Sequence, residues 1–391
     1  MELKTIEFIK NNENWREVLK REPYNLFIAE NDDYCLLKYN QISSDFSQDI
    51  VKECRGLIID KKTLSAKALS FIKFFNYGEP NAHRIDWGSA SVQEKVDGSK
   101  ILVWFDNNEW HVSTSGTIDA YQAHVTGCEF SYGEIFSKAV LNAKLDYNKE
   151  LGIYDPKHQT SLLSENKCYT FELVSPETRV VIPYKKAEIY FTSVRDIGTF
   201  DELSTEDETI YKYLKHPKSF ALNSLRACLE ATKKMGFDEE GFVVVDKYWN
   251  RIKIKSPAYV NVHYVKFSVG NSNAALLELI ESNEQDEFLT YFPEWKEKVE
   301  NTEKIMSDYK SKLREAIEDV DKLGYETQKE YAQYIMKNYK HISGFLFNFL
   351  KTDLLDLFIK SEWNKISTDK KIELLGLKNK EEKIEDTNLE E

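Results

Sequence analysis

Cysteine is scarce in this sequence and carries no pattern. There are five residues, Cys35, Cys54, Cys128, Cys168 and Cys228, an odd number with no C-x-x-C pair. That excludes a disulfide-stapled scaffold and a cysteine zinc cluster, and the thiols read as reduced and mostly structural. Fifteen glycines and eight prolines in 391 residues are too few for a collagen-like or linker-dominated chain. No apolar run approaches the ~20 residues that a membrane span needs. The first residues, Met1 to Thr5, lead into charge rather than into the apolar core of a secretory signal. No membrane association and a cytoplasmic location are therefore expected. Positive charge is in deficit, 53 Lys+Arg against 66 Asp+Glu for a net charge of −13, which excludes a uniformly basic nucleic-acid coat. The G-x-x-x-x-G-K-[ST] phosphate loop is also missing, so any phosphate cradle must be built otherwise.

What the chain does have is apolar and aromatic mass. Hydrophobic residues make up 41% and aromatics 13%, with 22 Tyr, 22 Phe and 7 Trp, enough to order cores over most of its length. Up to about Tyr259, short strand-like runs alternate with turn residues, as in Gly56–Asp60, Ile101–Phe105 and Gly241–Val245. Helical patches are expected at Glu134–Lys144 and Ser224–Met235. After His263 apolar residues recur at helical spacing, as in Ile305, Tyr309, Leu313, Ile317 and Val320. Further helices are expected over Ala274–Ile280, Tyr331–Met336 and Phe345–Phe358. The expected organisation is α+β over 1–262, an all-α domain over 263–377 and a charged, frayed tail over 378–391.

The segment Glu94-Lys95-Val96-Asp97-Gly98-Ser99-Lys100 sets a lysine before an Asp-Gly turn between two strand-like runs. Taken alone it is most simply a hairpin turn with a solvated lysine. Other charges, however, lie in strand contexts where they are costly unless paired or used. Glu172 is one, within Tyr169–Val174, and Glu240 is another, opening Glu240–Val245. Lys253 and Lys255 alternate, which puts both ammonium groups on one strand face, either as a wet edge or as an anion site. A lysine, two carboxylates and a lysine pair are together what covalent nucleotidyl transfer requires. The amine attacks phosphorus only when neutral, against an ordinary lysine pKa of about 10.4, so neighbouring cations must assist it.

In this order the residues resemble the phage-type RNA ligase 1 branch of the covalent nucleotidyltransferases. The similarity rests on Glu53-Cys54-Arg55-Gly56, Lys73-Phe74-Phe75-Asn76, Lys95-Val96-Asp97-Gly98-Ser99, Phe171 to Pro176 with Arg179, Glu240-Gly241-Phe242-Val243, and Lys253-Ile254-Lys255-Ser256 followed by Tyr259. The resemblance implies a nucleotidyltransferase domain of ATP-grasp-like antiparallel sheets with helices, followed by a helical substrate-specificity domain. It implies that ATP adenylylates Lys95 while Lys253 and Lys255 hold phosphates. Arg55, Lys73, Glu94, Glu172 and Tyr259 would contact the nucleotide or line its site. Glu172 and Glu240 would serve Mg2+ or Mn2+, directly or through water. The partners would be RNA, as single-stranded ends or broken tRNA, in the host cytoplasm if phage-encoded. An RNA 5′-phosphate and a 3′-hydroxyl would be joined through lysyl-AMP and RNA-adenylate.

The sequence departs from the family where Ser113-Thr114-Ser115-Gly116-Thr117 lacks a basic residue, with Lys100 as a weak substitute; Arg195 reads equally as structural or phosphate-facing. A DNA ligase or capping guanylyltransferase shares the chemistry but would continue into a small β-barrel rather than helices. A noncatalytic RNA-end-binding module would not need the nucleophile. An exposed turn lysine at position 95 would make Lys95→Ala harmless to folding. If a phosphate-lined groove exists on this acidic chain, affinity for single-stranded RNA falls as salt rises; a binding isotherm indifferent to salt would count against it.

Overall fold

The structure is a computed structural model that describes residues 3–41, 43–125, 128–260, 273–291, 293–322, 327–348 and 355–377. The chain divides into two compact units, Met1–His263 and Tyr264–Glu391. The boundary expected near 262 and the tail expected over 378–391 lie outside the described residues.

The first unit contains the strands. In chain order they are β1 (Phe27–Glu30), β2 (Tyr34–Lys38), β3 (Arg55–Asp60), β4 (Ala66–Ala68), β5 (Phe75–Asn76), β6 (Ser91–Glu94), β7 (Ser99–Asp106) and β8 (Glu109–Thr114). They continue with β9 (Asp146–Asn148), β10 (Gly152–Asp155), β11 (Thr160–Ser161), β12 (Lys167–Val174), β13 (Glu188–Asp196), β14 (Glu202–Leu203), β15 (Ser219–Phe220), β16 (Gly241–Val245) and β17 (Arg251–Lys255). Among the described residues they form four sheets, ordered β1-β2-β3-β4, β11-β10-β9, β14-β13-β12-β7-β8 and β15-β6-β16-β17-β5. The pairs are antiparallel except that β17 runs parallel to β5, with Lys253 opposite Asn76.

Strand β7 shows why its sequence is a continuous apolar run rather than an alternating one: it is buried on both faces. Ile101 and Val103 pack with Tyr169, Phe171 and, from the helix Tyr132–Asn142, Phe136. Leu102 and Trp104 point the other way, onto Leu36 and Ile58 of the first sheet. The central sheet is thus a middle layer, covered by that helix on one side and the first sheet on the other. The helix begins in a capping box, Ser131 with Glu134, which satisfies its first free amides.

The face bearing Leu102 and Trp104 turns polar at one end, where Lys100 stands opposite Glu172. In the fourth sheet, Val92, Phe242, Val244, Ile252 and Ile254 form a core with Cys228 of the helix Leu225–Thr232. The alternate residues of those strands, Gln93, Val243 and Lys253, sit side by side in register on the opposite face.

All the described regular elements of the second unit are helices. The longest, Lys296–Lys322, buries Leu313, Ala316, Ile317 and Val320 at helical spacing, against a core that includes Leu277, Ile335, Leu346 and Trp363. The helix expected over Phe345–Phe358 is instead Ser343–Asn348 and Leu355–Asn364, with 349–354 outside the described residues. No helix among the described residues is long and apolar enough to cross a membrane.

Leu102 is fully buried between two sheets. Leu102→Ala is expected to cost roughly 2–5 kcal/mol, measured as a lower urea midpoint for the first unit.

Candidate active site

A pocket of about 130 Å³ opens where the polar ends of the central and fourth sheets meet. Its walls include Arg55 at the start of β3, Phe71 and Phe74, Gln93 to Val96, Glu172 on β12, and Arg251 and Lys253 on β17. Strand periodicity accounts for the β17 residues: Arg251, Lys253 and Lys255 share one face while Ile252 and Ile254 face the core.

Lys95 follows the end of β6, and its amide donates to the Gly241 carbonyl at 2.9 Å. Its Nζ lies 2.5 Å from Glu240 Oε1, and its side chain is only 20% exposed. The expectation of an outward, solvated turn lysine is corrected here: a buried carboxylate draws the ammonium inward. Lys255 reaches the same Oε1 at 3.9 Å. Burial raises the Glu240 carboxyl above its ordinary range, opposed by Lys95 and Lys255. Gly241 permits this approach, because with φ at +132° a Cβ there would stand 2.2 Å from the Ile254 carbonyl oxygen.

The Asp-Gly pair after Lys95 is not a free hairpin turn. Asp97 is 4% exposed. Its Oδ2 accepts from the amides of Val181 and Ile182, at 3.0 and 2.8 Å, and its Oδ1 accepts from the Tyr259 hydroxyl at 3.0 Å. Gly98 lies against β12, where a Cβ would meet the Leu173 carbonyl oxygen at 2.5 Å. Asp97 was not singled out from the sequence as a site residue. Its placement between Val96 and Gly98, two residues after Lys95, was the signal available.

Glu172 is partly buried, and its carboxyl is pushed up to about 7 by desolvation, opposed by Lys95 and Arg55. The Lys100 ammonium is held well below the ordinary lysine range by burial and by the Arg55 charge. It donates to the Arg55 carbonyl. Lys100 is therefore a support beneath Arg55. The Arg55 guanidinium lies 4.7 and 5.3 Å from the Phe71 and Phe74 ring centroids. Lys253 Nζ is 5.5 Å from the Phe74 ring on the same pocket wall.

Two residues carried over by resemblance sit elsewhere. Lys73 points away from the pocket, with its ammonium 5.0–5.4 Å from the rings of Tyr39, Phe46 and Phe75 and 3.3 Å from Gln41 Oε1. Successive side chains of an extended segment alternate, so Phe74 faces the pocket and Lys73 cannot. Tyr259 is 2% exposed and holds Asp97 from behind instead of lining the pocket. Glu94 does line the wall, and its Oε2 accepts from the Lys218 amide at 3.3 Å. Arg195 is structural: with Arg251 it clamps the buried Glu202.

The donor set suits a bound polyanion and a hard cation. Arg55 Nη1 and Glu240 Oε2 are buried atoms with no hydrogen-bond partner among the described residues. No cluster of three or more His, Cys, Asp or Glu that could hold a metal occurs among the described residues. A magnesium ion, which keeps several waters and takes substrate oxygens, needs only one or two carboxylates.

The sequence profile of the RNA ligase family matches residues 53–259, from the Glu53 that opens the first motif to the Tyr259 that closes the last. The chain belongs to the RNA ligase family. It is 30% identical over 281 residues to a putative bifunctional polynucleotide kinase/RNA ligase of Autographa californica nuclear polyhedrosis virus, covering 68% of this chain but only 38% of that protein. It is 25% identical over 368 residues to the RNA ligase of Rhodothermus phage RM378, covering 78% of this chain and 80% of the relative. Among solved structures, an archaeal ATP-dependent RNA ligase aligns over 82% of this chain and 85% of its own, at 14% identity and a TM-score of 0.43.

The raised Glu172 carboxyl makes the apoprotein's stability depend on pH. Between the ordinary 4.5 and about 7 the folded state keeps a proton that the unfolded chain has lost. This group's contribution is therefore complete at the acidic end and disappears as pH rises through about 7. Glu172→Gln is expected to narrow the difference between urea midpoints taken near pH 5 and near pH 8; an undiminished difference would contradict the assignment.

Proposed function

We propose that this family member is an ATP-dependent RNA ligase in which Lys95 is the nucleophile. The observation that carries the reading is the convergence of Lys95, Glu172, Lys253 and Arg55 on one pocket, with Glu240 against Lys95 and with Arg55 Nη1 and Glu240 Oε2 lacking partners among the described residues.

Lys95 Nζ, as the neutral amine, attacks the α-phosphorus of ATP; a P–N bond forms as the bond to pyrophosphate breaks. Glu240, whose carboxyl is made more basic by burial, accepts the proton that the ammonium must shed. Lys253, Lys255 and Arg55 offset charge on the α-phosphate and the leaving pyrophosphate. An oxygen of the RNA 5′-phosphate then attacks the same phosphorus and breaks the P–N bond. Finally the 3′-hydroxyl of the other end attacks the 5′-phosphate and AMP departs. Glu172 and Glu240 are the carboxylates that would hold Mg2+ or Mn2+, directly or through water, and the cation's charge would stabilise the phosphates during transfer. Asp97, Gly98 and Tyr259 keep the lysine's loop against β12.

A second unit described wholly as helices supports RNA over DNA as the polymer, since a DNA ligase or capping enzyme would place a small β-barrel there. The intact lysine and its carboxylate argue against a noncatalytic end-binding module. Repair of broken tRNA is one setting for such a reaction.

Mass spectrometry after incubation with ATP and magnesium is expected to find one AMP adduct, on the peptide carrying Lys95. GTP is expected to leave none, and single-stranded RNA rather than nicked DNA to discharge the adduct. Lys95→Arg keeps the cation beside Glu240, hence the fold, but supplies no neutral amine and should show no adduct. Lys95→Ala should show none either and also lose stability, because it strips the buried carboxylate of its nearest cation. An adduct on another residue, or on either variant, would overturn the assignment.

A further inference from the structure

The hairpin joining β16 to β17 presents two large aromatic side chains to solvent at the edge of the pocket. Tyr248 is 65% exposed and Trp249 is 38% exposed. Asp246, 4% exposed, organises the turn from inside. Its Oδ1 accepts from the amides of Tyr248 and Asn250 at 2.9 and 3.0 Å. Its Oδ2 accepts from Asn250 Nδ2 and from the Asp86 amide, both at 3.1 Å. The Trp249 amide closes the turn onto the Asp246 carbonyl at 2.9 Å.

Trp249 has a φ of +64°. That backbone conformation suits glycine or asparagine and is costly for a bulky residue. A turn position that favours the smallest residue thus carries the largest side chain, and carries it outward.

The surroundings are basic and continuous with the pocket. Lys247 Nζ lies 4.9 Å from the Tyr248 ring centroid. Arg84 is exposed and follows His83, whose Nδ1 is 3.2 Å from the Arg251 carbonyl oxygen. The Arg251 guanidinium lies 5.6 Å from the Trp249 ring centroid and 5.4 Å from that of Phe71, a pocket wall residue. Three carboxylates offset part of this charge: Asp246 inside the turn, Asp86 paired with Lys247 at 3.7 Å, and Glu202 paired with Arg251.

We propose that the rigid tip formed by Tyr248 and Trp249 is a stacking platform for an unpaired nucleobase of the RNA strand whose end enters the Lys95 pocket, with Arg84 and Lys247 facing its phosphates. The proposal rests on the RNA ligase reading and adds where the strand is gripped. Aromatic faces bind bases without regard to sequence and flanking cations bind the backbone, the combination by which single strands are held.

The test is fluorescence anisotropy of a labelled, 5′-phosphorylated single-stranded oligoribonucleotide titrated with the full-length chain and its variants, alongside adduct formation from ATP. Tyr248→Ala is expected to weaken RNA binding ~5-fold or more, while forming the lysyl-AMP adduct to the same extent as the parent chain. Tyr248→Phe keeps the ring and is expected to bind as the parent does. Trp249→Gly relieves the left-handed backbone and is expected to lose RNA affinity without lowering the thermal midpoint. Parental affinity in Tyr248→Ala would overturn the platform, as would Tyr248→Phe binding as weakly as Tyr248→Ala. A lower midpoint in Trp249→Gly would assign its ring to packing on Arg251 and overturn the platform as well. Failure of the parent chain to form an adduct would sink the ligase reading instead, and the anisotropy series would still decide the platform.

Discussion

A lysine ammonium stands 2.5 Å from a carboxylate that is itself buried, and the architecture around it follows from that pairing. Neither charge is tolerable alone in such a place, and together they fix each other's position. Glu240 is held because Gly241 allows its strand to close on β17, and Lys95 because its amide joins the same strand. The geometry needed for chemistry is thereby set by backbone pairing within one sheet, and the side chains inherit it.

The neighbouring sheet supplies the opposing wall through a different device. Its central strand, β7, is buried on both faces, so it cannot shift without disturbing two cores. At the end of one of those faces the apolar pattern gives way to Lys100 and Glu172, and the carboxyl and ammonium there are both driven toward neutrality by desolvation. Perturbed carboxyl and ammonium groups gathered beside a pocket are the usual mark of a functional site.

Much of this was legible in the residues. The strand runs around Ile58, Val103 and Val244 and the helical texture after His263 follow from periodicity, while the gathering of Lys95, Glu172, Glu240 and Lys253 was implied by the family resemblance. The environment of each side chain was less legible, because it is decided by contacts far apart in sequence. Lys95 looked exposed since Asp-Gly commonly makes a solvent-facing turn, yet Asp97 is bound by residues 84, 85 and 162 positions away. Lys73 looked like a nucleotide contact until the alternation of its segment turned it into an aromatic cage. Arg251 gave no local sign that it would share Glu202 with Arg195.

The pairing of β16 with β17 also fixes how this site can change over time. Arg251, Lys253 and Lys255 alternate with core residues, so inserting or deleting a single residue in the connecting turn would exchange cations for isoleucines across the whole strand. The connection is consequently rigid in length. Descendants of such a chain would inherit the spacing of these three cations intact.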